Sequence, residues 1–285
     1  MGNLVRTLIY DGQVSLTVAN TTEIVQTAIE RHHLSETSAY VLGKALSALT
    51  FMSACLKDDR GEISLALKGD GSYDEIGISG NKLLNIRGFI GNTALEGGAN
   101  EGAEIAALGE NSAITVVRDD GYNRPFVGAC ALPKDGGIDE GFEEYFRISE
   151  QLPTRIKTVV ELDKKGNCAF AGFVVLQPLP FTEERVLEEI ENVDLGALLS
   201  AVKTQGVAEC VSQRFTVDKE VWEVREARYQ CHCSRDYVLG VLASLGETQM
   251  RQIIDEDGSL KVHCHYCNTD YEFMHEDADT LFSKK

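Results

Sequence analysis

A chain of 285 residues is long enough for one large core and a smaller appendage. Its 43% hydrophobic and 25% charged residues fit an ordinary globular protein and exclude a disordered one. The 27 Lys and Arg against 45 Asp and Glu give a net charge of −18, and no basic run offsets it, which sets the chain against nucleic acid as a partner. The N-terminus MGNLVRTLIYDGQVSL has too short an apolar stretch for a signal peptide, and nothing later approaches a membrane span. Gly2 is followed by Arg6 where N-myristoylation wants Ser or Thr. The expected compartment is the cytoplasm, where thiols stay reduced, so eight cysteines point to metal or redox chemistry before a disulfide framework.

Residues 4–10 and 14–18 alternate like strands around the turn Asp11-Gly12. Helical patterns follow over 22–33, with Ile24, Val25, Ala28 and Ile29 on one face, and over 36–57, apolar enough to be buried against a sheet. Strand-like pieces at 63–68, 74–79, 83–90, 113–118 and 126–132 are separated by Gly, Asn and Asp turns, and 97–102 reads as a flexible loop. A helix near 140–149 and strands at 155–162 and 169–176 complete the region. Helices and strands without steady βα alternation predict an α+β fold: an N-terminal α/β sandwich domain with a mostly antiparallel sheet.

At Gln177-Pro178-Leu179-Pro180 two prolines stop the strand and mark a boundary, giving an N-terminal domain of 1–178. The stretch 182–202 is then amphipathic. Val186, Ile190 and Val193 form a stripe that Leu195, Leu199 and Val202 continue, while Glu183, Glu184, Glu188, Glu189 and Glu191 face water, and Thr182 is the expected N-cap. Residues 215–229 read as strand or short helix. Residues 179–230 are taken as a helical linker that packs on the first domain.

The remaining segment, 231–285, is too small to be comfortable without a staple. It carries Cys231-His232-Cys233 and, 30 residues later, Cys264-His265-Tyr266-Cys267. Zinc favours four thiolate or imidazole ligands in a tetrahedron, and a C-x-x-C turn offers two sulfurs from one knuckle, so one Zn2+ on Cys231, Cys233, Cys264 and Cys267 is expected. His232, His263 or His265 could replace one sulfur. The spacer reads as helix to Gly246 and beyond it, then a turn at Asp257-Gly258, a strand at 260–262 and a returning strand at 271–273.

Other candidates have plainer readings. Cys55, Cys130, Cys168 and Cys210 sit singly among apolar residues and are read as small buried hydrophobes. Gly69-Asp70-Gly71 lacks the context of a nucleotide loop and is read as a turn. Glu143-Glu144 is read as a solvated helix face. No Ser–His–Asp or Cys–His nucleophile stands out, so no catalytic residue and no enzyme are expected.

The segments Cys231-His232-Cys233-Ser234-Arg235-Asp236, Leu245-Gly246-Glu247, Val262-His263-Cys264-His265-Tyr266-Cys267 and Tyr271-Glu272-Phe273 resemble the zinc domain of the redox-regulated heat-shock chaperones of 33 kDa. Upstream, Lys68-Gly69-Asp70-Gly71, Ile86-Arg87-Gly88-Phe89, Pro125-Phe126-Val127-Gly128 and Ser149-Glu150-Gln151-Leu152-Pro153-Thr154 look like that family's segments in its order. The resemblance covers nearly the whole chain, with Asp236 where the family usually has Glu and Phe126 where Tyr is common. It implies an ATP-independent holdase, idle when reduced and zinc-loaded, that binds unfolding client proteins after oxidation, needs no nucleotide and dimerises on activation. It also implies the pairings Cys231–Cys233 and Cys264–Cys267 in the oxidised state. The tighter C-x-C ring is expected to close after the C-x-x-C ring. If 231–285 packs on 179–230, its unfolding would uncover the stripe Val186, Ile190, Val193, Leu195, Leu199 and Val202, which would then be the client surface.

Three other readings compete. A zinc-ribbon nucleic-acid or translation factor fits poorly with five Lys and Arg against ten Asp and Glu in 231–285. A thiol-disulfide oxidoreductase wants its C-x-x-C at a helix N-terminus, whereas here it joins two strands. The third is a scaffold that never releases its zinc.

Overall fold

A computed structural model describes residues 2–283. The chain divides into two compact units, 1–229 and 230–285. The first is built on two sheets. One has the order β10-β1-β2-β9-β8, from β1 (Leu4–Ile9), β2 (Val14–Asn20), β8 (Arg155–Leu162), β9 (Cys168–Pro178) and β10 (Glu223–Arg225), all antiparallel. The other has the order β11-β5-β4-β3-β6-β7, from β3 (Glu62–Lys68), β4 (Glu75–Asn81), β5 (Asn85–Ile90), β6 (Ala113–Asp119), β7 (Phe126–Ala131) and β11 (Arg228–Tyr229). Only β11 breaks the antiparallel rule, running parallel to β5. The expected sheet is therefore two sheets, because β3 to β7 pair among themselves and never reach β8 or β9.

Between the sheets lies α2 (Glu36–Ala54), which contacts β4 and β5 on one side and β8 and β9 on the other. A helix sandwiched in this way must be apolar all round, and α2 is buried along nearly its whole length. Its N-terminus is fixed by Ser35, whose hydroxyl accepts from the Ser38 N–H at 3.2 Å. Helix α1 (Thr22–His32) packs on α2 and β9. The hairpin between β1 and β2 turns where Tyr10, Asp11 and Gly12 all take positive φ.

Two helices depart from the sequence reading. The loop expected over 97–102 ends at Asn100, whose side chain accepts from Ala103 N–H at 2.9 Å and starts α3 (Glu101–Leu108). The helix read at 182–202 is two, α5 (Glu184–Glu191) and α6 (Leu195–Gln205), followed by α7 (Val207–Arg214). Asp194 causes the break: it is extended, and its carboxylate accepts from Ala197 N–H at 2.9 Å. The expected N-cap Thr182 bonds instead to the carbonyls of Gln13 and Leu179, and Glu183 holds the cap position.

These three helices cover the face of the first sheet opposite α2. Val186, Ile190, Leu195, Leu198, Leu199, Val202, Val207, Cys210 and Val211 pack with Val5, Ile9, Val14, Leu16, Val18, Phe170, Val174 and Leu176. Residues 179–229 thus belong to the first unit, and their strands β10 and β11 extend its two sheets.

The helix expected near 140–149 is α4 (Ile138–Tyr145), prolonged by a π-helical turn, Phe146–Glu150. Glu143 and Glu144 are not a solvated face. Glu143 is half-buried and accepts from the Ile156 N–H at 2.9 Å; Glu144 pairs with Arg147 at 2.6 Å. Both acids point toward the first residues of β8 and the π-turn, where backbone and guanidinium donors await them.

The second unit consists of α8 (Arg235–Leu242), a 3-10 turn, α9 (Glu247–Asp257), the hairpin β12 (Leu260–Cys264) with β13 (Thr269–Phe273), and α10 (His275–Phe282). Its buried apolar core is small: Val238, Leu242, Met250, Ile254, Leu260, Phe273 and Ala278. Arg235 ties it together. Its guanidinium lies 4.6 Å from the Phe273 ring centroid and donates to the Glu272 carbonyl and the Asp277 carboxylate.

Candidate metal centre

The sulfurs of Cys231, Cys233, Cys264 and Cys267 all lie within 4.8 Å of one another, half-buried except for the buried Cys267. Local structure explains the convergence. Cys231 and Cys233 sit in irregular chain just before α8, whose N-cap Ser234 accepts from Tyr237 N–H at 3.1 Å. Cys264 ends β12, and the turn after it closes when Asn268 N–H donates to the Cys264 carbonyl at 2.8 Å, with Asn268 at φ 53. Asn tolerates that left-handed backbone, and it swings Cys267 back beside Cys264.

Four sulfurs about 2.3 Å from one tetrahedral ion stand roughly 3.8 Å apart. The observed separations lie at or somewhat below that value: 3.8 Å for Cys231–Cys264, 3.2 Å for Cys231–Cys233 and 3.0 Å for Cys233–Cys267. All-sulfur donors in this array suit a closed site for a thiophilic ion. Among the described residues no histidine joins the group. His263 turns its Nδ1 to Asp270 at 2.7 Å, and His232 and His265 are exposed.

The electrostatics concentrate charge on one sulfur. Burial raises the Cys233 thiol, but hydrogen bonds with Cys267, Tyr271, Cys231 and Cys264 outweigh it and bring it down to about 7. Burial pushes Cys264 and Cys267 up. The Tyr271 hydroxyl donates to Cys233 Sγ at 3.3 Å, and Thr269 Oγ1 is 3.3 Å from Cys267 Sγ. The sequence marks Tyr271 as a strand residue and as part of the resembling motif Tyr271-Glu272-Phe273, but does not place its hydroxyl on a sulfur; its alternation with Phe273 on β13 is the available sign. Groups that orient metal ligands typically matter ten- to a hundredfold in affinity. Tyr271→Phe is expected to weaken metal retention by about tenfold in a competition titration against a chromogenic chelator; an unchanged affinity would make the hydroxyl a bystander.

The other four cysteines lie apart. Cys130, Cys168 and Cys210 are buried and Cys55 partly so. Burial pushes Cys130 to about 11 and Cys168 to about 12, and raises Cys55 and Cys210, so all four are held as thiols. Among the described residues none of the eight forms a disulfide.

The predicted client stripe is sealed. Val186, Ile190, Leu195, Leu199 and Val202 are buried and Val193 is half-buried, all packed on the sheet of β1, β2 and β9.

A cysteine array of this kind occurs in several folds, so its setting decides. The profile of the Hsp33 protein family matches residues 2–274. The chain belongs to the Hsp33 family. It is 31% identical to the 33 kDa chaperonins of Bacillus cereus (strain AH187) and Bacillus anthracis (strain A0248), over 98% of this chain and 97% of theirs. The crystal structure of the 33 kDa chaperonin (Heat shock protein 33 homolog) from Thermotoga maritima superposes with a TM-score of 0.82 at 26% identity, covering 99% of this chain and 98% of that one. The Hsp33 fold is thus the frame in which the four sulfurs converge.

Proposed function

We propose that this chain is a redox-regulated, ATP-independent holdase: a non-enzymatic chaperone that binds unfolding proteins once its cysteine cluster is oxidised. The observation that carries the reading is the convergence of four sulfurs in a unit whose own apolar core is, among the described residues, a cluster of seven buried side chains. Zinc, when bound to Cys231, Cys233, Cys264 and Cys267, would keep the sulfurs as thiolates and contribute about 10–16 kcal/mol, comparable to the whole margin of about 5–15 kcal/mol of a typical domain.

Oxidation acts on the sulfurs. In each pair one sulfur is oxidised by a two-electron oxidant such as a peroxide to a sulfenic acid; its neighbour attacks it, a disulfide forms and water leaves. Cys264 with Cys267, then Cys231 with Cys233, is the pairing and order we favour. The short 3.0 Å approach of Cys233 to Cys267 crosses these pairs, so proximity alone does not select them. Once the sulfurs are paired with each other they are no longer ligands, and 230–285 loses its staple.

Client binding then needs apolar surface. The stripe on α5 and α6 rests on the first unit's own sheet, so removing a cover is not enough: these helices must part from β1, β2 and β9. Arg155 guards that step by donating to the carbonyls of Ile190 and Val193, tying the end of α5 to β8. The acids along α5 would keep the opened protein soluble. A cytoplasmic location and dimerisation on activation complete the reading; no helix among the described residues is long and apolar enough to cross a membrane.

Reduced protein should carry about one zinc and suppress little aggregation, and peroxide with mild heat should release the ion, start protection and speed hydrogen exchange in α5–α7. Protection that is equal with and without oxidant would sink the reading. Nucleic-acid retention at low salt or insulin reduction would favour the rival factor or oxidoreductase instead.

A further inference from the structure

The last residues of the first unit close the edge of its second sheet in an unusual way. Strand β11 is only Arg228 and Tyr229, paired in parallel with Asn85 and Ile86. Arg228 N–H donates to the Leu84 carbonyl at 3.0 Å, and its side chain donates to Asn85 Oδ1 at 2.9 Å. One step before, Ala227 is held by Asn3 through both its N–H and its carbonyl, at 2.7 and 2.8 Å. Beyond Ile86, among the described residues, no second strand pairs with β5 on the side away from β4; a side chain takes that place. The Tyr229 hydroxyl donates to the Gly88 carbonyl at 2.9 Å and accepts from the Gly88 N–H at 3.4 Å. His32 Nε2 stands 3.2 Å from the same oxygen. A phenol has one proton to give and two lone pairs, so with the proton on Gly88 the His32 ring must be the donor. One hydroxyl therefore does for Gly88 what a strand's N–H and C=O do elsewhere.

Tyr229 is two residues from Cys231, so the chain that feeds the cysteine cluster is the chain that seals this edge. We infer that β11 and the Tyr229 hydroxyl form a releasable clasp on β5, and that its release opens the 84–90 edge to an extended segment of an unfolding polypeptide, which adds to the sheet as a new strand. The inference rests on the chaperone reading above and names where that chaperone would hold its client. The occupant follows from what sits there now. The edge is already taken by extended chain, but by two residues and a hydroxyl; a longer segment can bond along the whole of β5. Such recognition runs through the main chain, which every unfolded protein possesses, so it needs no sequence motif. The inward side chains Ile86 and Ile90 are buried, whereas Tyr229 is half-buried at the margin of the same core, so releasing the clasp uncovers one ring.

The test uses the full chain. In reduced, zinc-loaded protein, Tyr229→Phe keeps the ring and removes only the hydroxyl; the Gly88 amide should exchange with deuterium faster by roughly tenfold, about the worth of one hydrogen bond, with zinc content unchanged. In the oxidised wild type, the edge-facing amides of 84–90, those of Ile86 and Gly88, should exchange faster than in the reduced protein and slow again when heat-unfolded citrate synthase is added. Unchanged exchange at Gly88 in Tyr229→Phe overturns the clasp. A bound client that leaves 84–90 exposed overturns the occupant, as does an edge that stays protected after zinc has left. Should the wild type neither release zinc nor hold citrate synthase, the chaperone reading fails and the client is removed from β5 with it; the Gly88 arm still decides the clasp, because it uses no oxidant and no client.

Discussion

Cys264→Ser is expected to unfold residues 230–285 while leaving the two-sheet core around α2 folded. The serine keeps the volume but not the soft, ionisable donor, so the array falls to three sulfurs. What remains to hold the unit is one small cluster around Met250, Ile254 and Phe273, the β12–β13 hairpin and the Arg235 contacts. Isolated hairpins and short helices are marginal in water, and a metal term of about 10–16 kcal/mol is as large as the gross burial term of that cluster before chain entropy is subtracted. Hydrogen exchange should show amides of β12, β13 and α8–α10 losing protection together, with α2 and β9 unchanged, and zinc content falling from about one per chain toward none. Wild-type protein stripped by chelator under reducing conditions should behave in the same way. A folded, protected C-terminal unit without metal would refute the staple and the switch built on it.

Lys44→Met is expected to cost the first unit about 3–5 kcal/mol. Lys44 lies in the middle of α2 with 3% of its side chain exposed, 2.7 Å from Glu104 and 3.5 Å from Asp139, which are 0% and 4% exposed. Burial works against the Lys44 charge, but Asp139 and Glu104 prevail and its pKa is raised, so it stays an ammonium. Burial pushes Glu104 up even against Lys44 and the Ile138 N–H, which Glu104 accepts at 2.7 Å. Gly137 makes room for that carboxylate: a Cβ there would lie 2.7 Å from Glu104 Oε1. Asp139 accepts from the Thr158 N–H and hydroxyl. The cluster thus binds α2, α3, α4 and β8 at one point. Removing the cation strands two buried carboxylates, although Lys157, 3.6 Å from Asp139, still serves one of them. At about 2–4 °C per kcal/mol for a unit of this size, the unfolding midpoint should fall by roughly 6–20 °C. Adding Glu104→Gln, which keeps an acceptor for Ile138 but removes the stranded charge, should recover part of the loss. A midpoint unmoved by Lys44→Met would mean that the cluster contributes nothing.

Hydrophobic period, turn residues and cysteine spacing determined much of this molecule before any packing was known. The hairpin at Asp11-Gly12, the long buried α2, the strand ending at Pro178 and the helix–turn–hairpin order of the cysteine-bearing unit are local consequences of local sequence, so they were legible. The four sulfurs were legible for the same reason: Cys-x-Cys and Cys-x-x-Cys each bring two donors to one place without help from distant chain. Boundaries set by a single capping side chain were not, as with Asn100 and Asp194, because a cap competes with helical periodicity only through one hydrogen bond. Nor could sequence show that Lys44, Glu104 and Asp139 meet, that Tyr271 leans on Cys233, or that Tyr229 finishes the edge of β5. Each of those contacts joins residues far apart along the chain or on different strands, and only the closing of the sheets around α2 and of the hairpin on α8 puts them within hydrogen-bond reach. Tertiary structure also decided the state of the stripe from Val186 to Val202: periodicity showed that it is apolar, but which surface it lies against is a property of the assembled sheet.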